Sequence, residues 1–296
     1  MTFYLVAGVS APTDPTNTSA HLPTTRPRRY PSDTSDAEWA VLAPLVPAGG
    51  PGRRGGRRPT HSRRDIVDAI RYLAHNGCVW RALPADFPPW QTVYDYHARW
   101  IADGTITRLH NALRDQVRHV EGRDHDPTAA IIDSQSVRAA ETVARTSRGY
   151  DAGKKVNGRK RHLAVDTLGL LLVVMVSAAS VQDRHAGRAL VHALRTCHRQ
   201  VRMVWADSGY NGTLVTWAAT LTITVRIVAK LADQIGFRVL PRRWVVERTL
   251  AWISRCRRTV RDYERLPAHH AAMVHWAMII VMTRRLARHH PTTATA

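Results

Sequence analysis

The first half of the chain places apolar residues every three or four positions, which is the spacing of the buried face of a helix. The clearest run covers residues 62–75 and ends at Gly77, a residue type that commonly closes helices. Ser35, with a glutamate three residues later, forms a capping box that predicts another helix start. Two more helices are predicted at residues 91–100 and 107–117.

After residue 125 the pattern changes to short apolar runs, some alternating with polar residues, which is typical of strands. Five strands are predicted, the second and third joined as a hairpin, at residues 128–134, 161–167, 170–178, 202–206 and 221–228. Helical patterns follow the third, fourth and fifth strands. This order predicts an α/β fold with a mixed sheet of about five strands and helices on its faces.

These patterns divide the chain into four parts. Residues 1–30 carry Pro, Thr and Ser with little periodicity and are predicted to be a disordered leader, and residues 291–296 a disordered tail. Residues 31–125 are predicted to form a helical domain and residues 126–290 the α/β domain. The helical domain has two helices across a turn-rich link, which favours a helix-turn-helix-like DNA reader over a plain three-helix packing unit.

The charge of the chain indicates its partner. It has 43 Lys and Arg against 23 Asp and Glu, a net charge of +20, which favours a polyanion such as DNA. Its three cysteines include no CxxC pair, so we expect a reducing cytoplasm and neither disulfides nor zinc. The longest apolar run is too short to cross a bilayer, and no P-loop is present. We therefore expect no membrane partner and no nucleotide.

Two acids stand where predicted strands end. Asp133 follows the apolar Ile131 and Ile132, and Asp207 follows the apolar run at residues 203–206. Sites in open α/β sheets lie at the carboxyl ends of strands, and the first and fourth strands are plausible neighbours in this order of elements. Carboxylate oxygens suit Mg²⁺, and two such ions can activate an attacking oxygen and stabilise the leaving one in phosphoryl transfer.

A third acid, Glu247, lies on a basic amphipathic helix at residues 240–258. Taken alone, this spacing favours a surface ion pair with Arg243, four residues earlier, over a metal-binding carboxylate. With Asp133 and Asp207 placed at strand ends, the metal-binding interpretation becomes the better one.

Three other acids are interpreted differently. Asp166 is expected in the hairpin turn, and Asp151 as an ion-pair partner in the basic loop at residues 149–161. Asp183 is expected to cap the following helix, with a role in the site as the lesser alternative.

Basic residues that would hold DNA are predicted in this loop and on the Glu247 helix, because arginine and lysine bind phosphate oxygens. They are Lys154, Lys155, Arg159, Lys160, Arg161, Arg243, Arg248, Arg255 and Arg258.

Five segments together carry a resemblance to a known family. They read GCVWRALPADFPPWQTVYDYHARW, IIDSQSV, GRKRHLAVDTLG, ADSGY and LPRRWVVERTLAWISRCRR. The chain resembles the transposases of the IS5 group of bacterial insertion sequences, within the wider IS4-like DDE class. The resemblance implies a ribonuclease-H-like catalytic domain, and it implies that the catalytic and metal-binding acids are Asp133, Asp207 and Glu247.

The wider class has a Tyr-x2-Arg-x3-Glu-x6-Lys pattern around its glutamate, and this chain keeps part of it. Arg243 stands four residues before Glu247, but Leu240 replaces the tyrosine and Ser254 the lysine. We expect the adjacent Arg255 to take over the phosphate contact of that lysine.

The resemblance implies a cut-and-paste DNA transposase. Such an enzyme binds the terminal inverted repeats of its element, cleaves the ends and joins them to target DNA, using two Mg²⁺ ions with Mn²⁺ as a substitute. It also implies a homodimer on double-stranded DNA, cytoplasmic and associated with the nucleoid when bound. Two alternatives stay open: a catalytically silent DNA-binding protein derived from such an element, and a nuclease that cuts without strand transfer.

Overall fold

The computed structural model describes residues 4–5, 22–24, 26–47, 60–228 and 243–289. Four helices come first: α1 (Asp36–Leu42), α2 (Arg63–Asn76), α3 (Trp90–Ala102) and α4 (Thr105–Val120). The predicted capping box opens α1, where Ser35 and Glu38 exchange side-chain and backbone hydrogen bonds. Gly77 closes α2 in the left-handed conformation, as its sequence position predicts.

A mixed sheet forms the centre of the molecule. Its strands are β1 (Tyr4–Leu5), β2 (Ala129–Arg138), β3 (Gly149–Asp151), β4 (Val156–Val165), β5 (Leu171–Ala178), β6 (Met203–Ala206) and β7 (Thr224–Ile227). The order is β1-β5-β4-β2-β6-β7, with β3 paired to β4. The five predicted strands are confirmed, and the prediction missed the short β1 and β3.

Helices cover both faces of this sheet, as predicted. They are α5 (Asp183–Cys197), α6 (Thr213–Thr220), α7 (Arg243–Ser254), α8 (Arg257–Val260) and α9 (Pro267–His289). The single helix predicted at residues 240–258 is instead two helices, α7 and α8, and residues 240–242 lie outside the described residues. Strand β2 shows how both faces are used: Ile131 packs in the core beneath α7 and α9, and Ile132 in the core beneath α5 and α6.

Helix α9 joins the helical region to the sheet. Along most of its length it is buried, and it packs against α4, α1 and α2 as well as β5. Trp276 and Met278 belong to one hydrophobic core with Leu73 of α2 and Val174 of β5. The predicted domain boundary near residue 125 therefore does not separate two cores.

A buried arginine adds a polar link between the same regions. The Arg71 guanidinium, fully buried on α2, donates to Glu38 Oε1 at 2.7 Å and to Thr283 Oγ1 on α9 at 3.3 Å. Opposite charge beside Glu38 outweighs the effect of burial and lowers the pKa of that carboxyl. A buried guanidinium needs such partners, so this pair fixes how α1, α2 and α9 meet.

Part of the predicted leader packs on the helices. Arg26 is almost fully buried, bridges Asp33 at 2.8 Å and lies over the Phe87 ring at 4.2 Å. Tyr30 stacks on Phe87 with ring centroids 5.3 Å apart. The prediction of disorder is therefore wrong for residues 26–30, because three acids and an aromatic cluster hold them, and for residues 4–5, which pair with β5. Residues 6–21 and the predicted tail at residues 291–296 lie outside the described residues.

Among the described residues, none forms a helix with the length and hydrophobicity that a bilayer crossing requires.

The pairing of β2 with β4 depends on Gly158. A Cβ at this position would stand 2.0 Å from the carbonyl oxygen of Val137 and 2.6 Å from the backbone nitrogen of Ala139. Gly158→Ala should therefore lower the free energy of unfolding by about 3 kcal/mol, because backbone cannot give way as a flexible side chain can. Chemical denaturation measures this value. Gly153→Ala is the matched control, since its nearest contact would be an ordinary 3.5 Å; equal losses in both variants would contradict the explanation.

Candidate active site

Two acids meet because β2 and β6 are adjacent and parallel. Their register pairs Ala129 with Met203 and Ile131 with Trp205. Continued two residues further, the same register sets Asp133 beside Asp207 on strands about 4.8 Å apart. The predicted adjacency of these strands is confirmed. Both acids are half-buried, whereas the residues that precede them are buried. Asp207 directly follows β6, as predicted. The prediction that Asp133 ends its strand is wrong, because pairing with β4 continues β2 to Arg138.

Asp207 starts a tight turn at the end of β6. Its carboxylate accepts a hydrogen bond of 3.0 Å from the backbone N–H of Gly209. A Cβ on Gly209 would lie 3.1 Å from Asp207 Oδ1 and 3.8 Å from Asp183 Oδ2. Glycine therefore leaves room for two carboxylates to approach the same point.

Asp183 belongs to this group and does not cap its helix. Gln182 holds the cap position of α5, and Asp183 is the first helical residue. The Ser134 hydroxyl donates to Asp183 Oδ1 at 2.8 Å, and Lys160 Nζ lies 3.1 Å from the same oxygen. The capping prediction is thus wrong, because these two partners turn the carboxylate toward the sheet.

Tyr210 lies beneath the acids and is fully buried. Burial, followed by the negative charges of Asp183, Asp133 and Asp207, raises the pKa of its hydroxyl well above the ordinary value. A side-chain hydrogen bond with Ser134 acts in the opposite direction but does not offset the burial.

Glu247 stands on α7, which packs against β2 and β4 through buried Val245 and Val246. Side chains alternate along a strand, so Asp133 shares the face of Ile131, the face that α7 covers. Glu247 itself is exposed. Within the described residues, no three Asp, Glu, His or Cys side chains stand close enough together to hold a metal ion. The three predicted acids are therefore not one assembled group in this structure.

Hydrogen bonds to the β4–β5 turn fix the position of α7. Arg248 Nη2 donates to the carbonyl of Leu168 at 2.8 Å, and Thr249 Oγ1 donates to that of Gly169 at 2.7 Å. The Arg248 guanidinium also lies between the indoles of Trp244 and Trp252, 4.4 and 4.7 Å from their centres. The Arg248 guanidinium thus makes three contacts within the protein, one with a carbonyl oxygen and two with indole rings.

The structure separates the predicted DNA-binding residues into two sets. Four are buried: Arg159, Lys160, Arg161 and Arg258. Arg159 Nη1 bonds Asp262 Oδ2 at 2.9 Å, and Arg258 Nε bonds Glu264 Oε1 at 2.7 Å. Burial, partly offset by Asp262, lowers the pKa of Arg161 to about 10. Burial and these internal partners argue against phosphate contacts by the four.

The exposed set consists of Lys154, Lys155 and Arg255. Lys154 Nζ lies 3.1 Å from the carbonyl oxygen of Ser134, beside the acids. The side chain of Arg243 is outside the described residues. Arg248 belongs to neither set, since it is half-buried. The exposed candidates for DNA contact are thus Lys154 and Lys155 in the β3–β4 turn and Arg255 after α7.

The other acids behave as predicted. Asp166 accepts from the backbone N–H groups of Leu168 and Leu170, which closes the hairpin turn. Asp151 lies 3.3 Å from Lys160 Nζ. Burial would raise the pKa of Asp151, but hydrogen bonds from Ser136, the Lys154 N–H and Lys160 lower it to about 2.

Sequence reasoning missed Ser134 and Tyr210 as parts of the site. The spacing offered one indication, since both residues stand within three positions of a predicted acid.

A mixed sheet with helices on both faces, in a chain that matches a DDE domain, defines a ribonuclease-H-like α/β protein. Residues 124–282 match the family "Transposase DDE domain", and residues 34–110 match "Putative transposase of IS4/5 family". The first match covers more than half of the 296 residues. The chain therefore belongs to the DDE transposase family, of the IS4/5 type.

Two relatives are similar over part of the chain. "Uncharacterized protein y4sN" of Sinorhizobium fredii (strain NBRC 101917 / NGR234) is 31% identical over 113 residues, 38% of this chain and 82% of that protein. "Putative transposase for insertion sequence element IS402" of Burkholderia cepacia is 28% identical over 138 residues, 44% of this chain and 65% of that protein. The match thus spans slightly under two thirds of the IS402 relative. No solved structure matches the chain.

Proposed function

We propose that this protein is a DNA transposase that binds the terminal inverted repeats of an insertion sequence, cleaves the DNA at those ends and joins them to a target. The observation that carries the proposal is that Asp133 in β2 and Asp207, directly after β6, belong to adjacent parallel strands of a DDE-family chain. Membership of the IS4/5 family supports an insertion sequence as the DNA element that the protein moves. The relative from Burkholderia cepacia, named for an insertion sequence, supports it further.

Divalent metal is the cofactor that this chemistry needs, and the residues fit it in part. Asp133 and Asp207 offer hard oxygen ligands at one place, which suits Mg²⁺, with Mn²⁺ as a substitute. Glu247 would complete the set from α7. When bound, two such ions lower the pKa of an attacking water or hydroxyl and stabilise the leaving oxygen. The protein's own part is to fix the carboxylates, through the Gly209 N–H at Asp207 and the Ser134 N–H at Asp133.

Positive charge near the acids would hold the DNA. Lys154 and Lys155 project from the turn between β3 and β4, and Lys154 reaches the carbonyl of Ser134, next to Asp133. Arg255 follows α7, where the family pattern has a lysine nearby. The net charge of +20 supports DNA binding, because phosphate contacts supply most of the sequence-independent affinity for DNA.

The helical region would recognise the element ends. Helix α3 buries His97 and Trp100 and exposes Gln91, Asp95 and Arg99 along its opposite side. Exposed residues at four-residue spacing form one stripe, which is what a helix needs to read base edges in a groove. Joining two ends to one target further requires two subunits, so we propose a homodimer on DNA.

Replacing Asp207 should separate catalysis from binding. Asp207→Asn keeps the shape of the side chain but removes a metal-binding charge. Since even supporting residues around a metal contribute about 10–100-fold, we expect cleavage and strand transfer to fall at least about 100-fold while end binding is retained. Labelled element ends and a target plasmid with Mg²⁺ measure both steps.

Asp124→Asn is the control for that assay, because Asp124 is exposed in the connection between α4 and β2. Full strand transfer by Asp207→Asn would exclude the proposed role. The wild type decides between the alternatives: binding without any nicking indicates a silent DNA-binding protein, and nicking without joining indicates a nuclease.

The lysine pair should set the salt dependence of DNA binding. Each lost phosphate contact reduces the slope of log K against log salt by about 0.9. Lys154→Gln/Lys155→Gln should therefore reduce it by about 1.8, as measured by fluorescence anisotropy across a salt series. Arg199→Gln is the control, because Arg199 is exposed before β6, at the sheet edge away from the acids. An unchanged slope in the lysine variant would place the DNA elsewhere.

A further inference from the structure

We infer that Gln135, two residues after Asp133 on β2, contacts a phosphate oxygen of the bound DNA strand through the N–H groups of its side-chain amide. The inference rests on the proposed function, and it adds a neutral donor to the basic residues proposed to hold the DNA.

Two hydrogen bonds from Arg161 fix the orientation of this amide. Arg161 Nε donates to Gln135 Oε1 at 2.8 Å, and Arg161 Nη2 donates to the same oxygen. An arginine carries donors only, so the amide oxygen must face Arg161 and the amide nitrogen must face away from it. Arg161 itself is fully buried on β4, and its Nη1 donates to the carbonyl of Thr259 at 3.0 Å. The Gln135 amide nitrogen thus has a fixed direction.

This nitrogen lies beside the proposed site and is available for a ligand. Side chains two residues apart on a strand share one face and stand about 7 Å apart, so Gln135 and Asp133 are neighbours on β2. Both are half-buried, and no described residue accepts a hydrogen bond from the Gln135 amide nitrogen. Lys154 Nζ lies 3.1 Å from the carbonyl oxygen of Ser134, the residue between them. A DNA strand held by Lys154 at Asp133 therefore also reaches Gln135.

An amide at this position is less favourable for folding than a carboxylate would be. The two hydrogen-bond partners of the buried Arg161 guanidinium, Gln135 Oε1 and the Thr259 carbonyl, are both neutral. The charge of Asp262 acts on Arg161, but Asp262 is already paired with Arg159 at 2.9 Å. A buried charge is costly without a charged partner, and glutamate at position 135 would supply one.

DNA binding reverses this preference. An amide donates to a phosphate oxygen, whereas a carboxylate repels it. Positions where a protein gives up stability that another residue would provide are expected at functional sites. Glutamine at position 135 therefore indicates contact with an anion, and the anion that the proposed function brings to this face is the DNA backbone.

Gln135→Glu separates folding from DNA contact. The glutamate keeps the acceptor for Arg161 and adds the missing charge, so the melting temperature should equal or exceed that of the wild type. Affinity for a labelled element end, measured by fluorescence anisotropy without divalent metal, should fall at least about 10-fold, because a donor to phosphate is lost and a like charge is added.

Gln200→Glu is the matched control. It adds the same charge at an exposed position before β6, at the end of that strand opposite Asp207. Its affinity should change less than about 3-fold, because salt largely screens charges more than about 10 Å apart. A folded Gln135→Glu variant with wild-type affinity would overturn the inference, and so would equal losses in the two variants.

A second variant removes the donor without adding charge, and it also serves if Gln135→Glu does not fold. Gln135→Met/Arg161→Met replaces both partners of a buried polar contact by apolar groups, which has little effect on folding. Its affinity for the element end should fall at least about 3-fold, and wild-type affinity would overturn the inference. A wild type that does not bind element ends would instead refute the proposed function, so the two failures are distinguishable.

Discussion

The parallel pairing of β2 with β6 is the constraint on which the candidate site depends. Only a parallel neighbour presents its carboxyl end at the same edge of the sheet, and the observed register sets Asp133 and Asp207 side by side. The antiparallel pairing of β2 with β4 brings Lys160 to the same region from the other side. Asp183 follows because α5 begins beside these strand ends. The positions of these four charged groups thus depend on the pairing of β2 with its two neighbours, β4 and β6.

The same strand arrangement explains why the basic residues divide as they do. Strand β4 is covered on both faces, so Arg159, Lys160 and Arg161 are buried and need internal partners. Asp262, about a hundred residues later, is the partner of Arg159, and Glu264 is the partner of the nearby Arg258. The basic residues of β3, β4 and α8 therefore have two environments. The buried arginines hold α8 and the start of α9 against the sheet, and the lysines of the β3–β4 turn remain in solvent.

Sequence alone predicted those features that depend on neighbours along the chain. The capping box at Ser35, the left-handed Gly77 and the two acids after buried runs all follow from local spacing. It missed features that depend on distant contacts: the burial of Arg159, the packing of Arg26 on Phe87, and the direction of Asp183, each decided by a partner more than twenty residues away. The sequence also did not predict that α9 joins the helical region and the sheet in one hydrophobic core. The apolar pattern of a helix shows that it is buried, but not which elements it packs against.

The central claim is that a divalent ion binds beside Asp133 of β2 and Asp207 at the end of β6, and metal-directed cleavage of the polypeptide tests it most directly. Fe²⁺ replaces Mg²⁺ at oxygen sites, and the hydroxyl radicals it generates with ascorbate and peroxide cut nearby backbone. Mass spectrometry of the fragments should locate cuts around Asp133 and around Asp207 to Tyr210, and excess Mg²⁺ should suppress both together. Cuts confined to other segments, or cuts that Mg²⁺ does not suppress, would contradict the account.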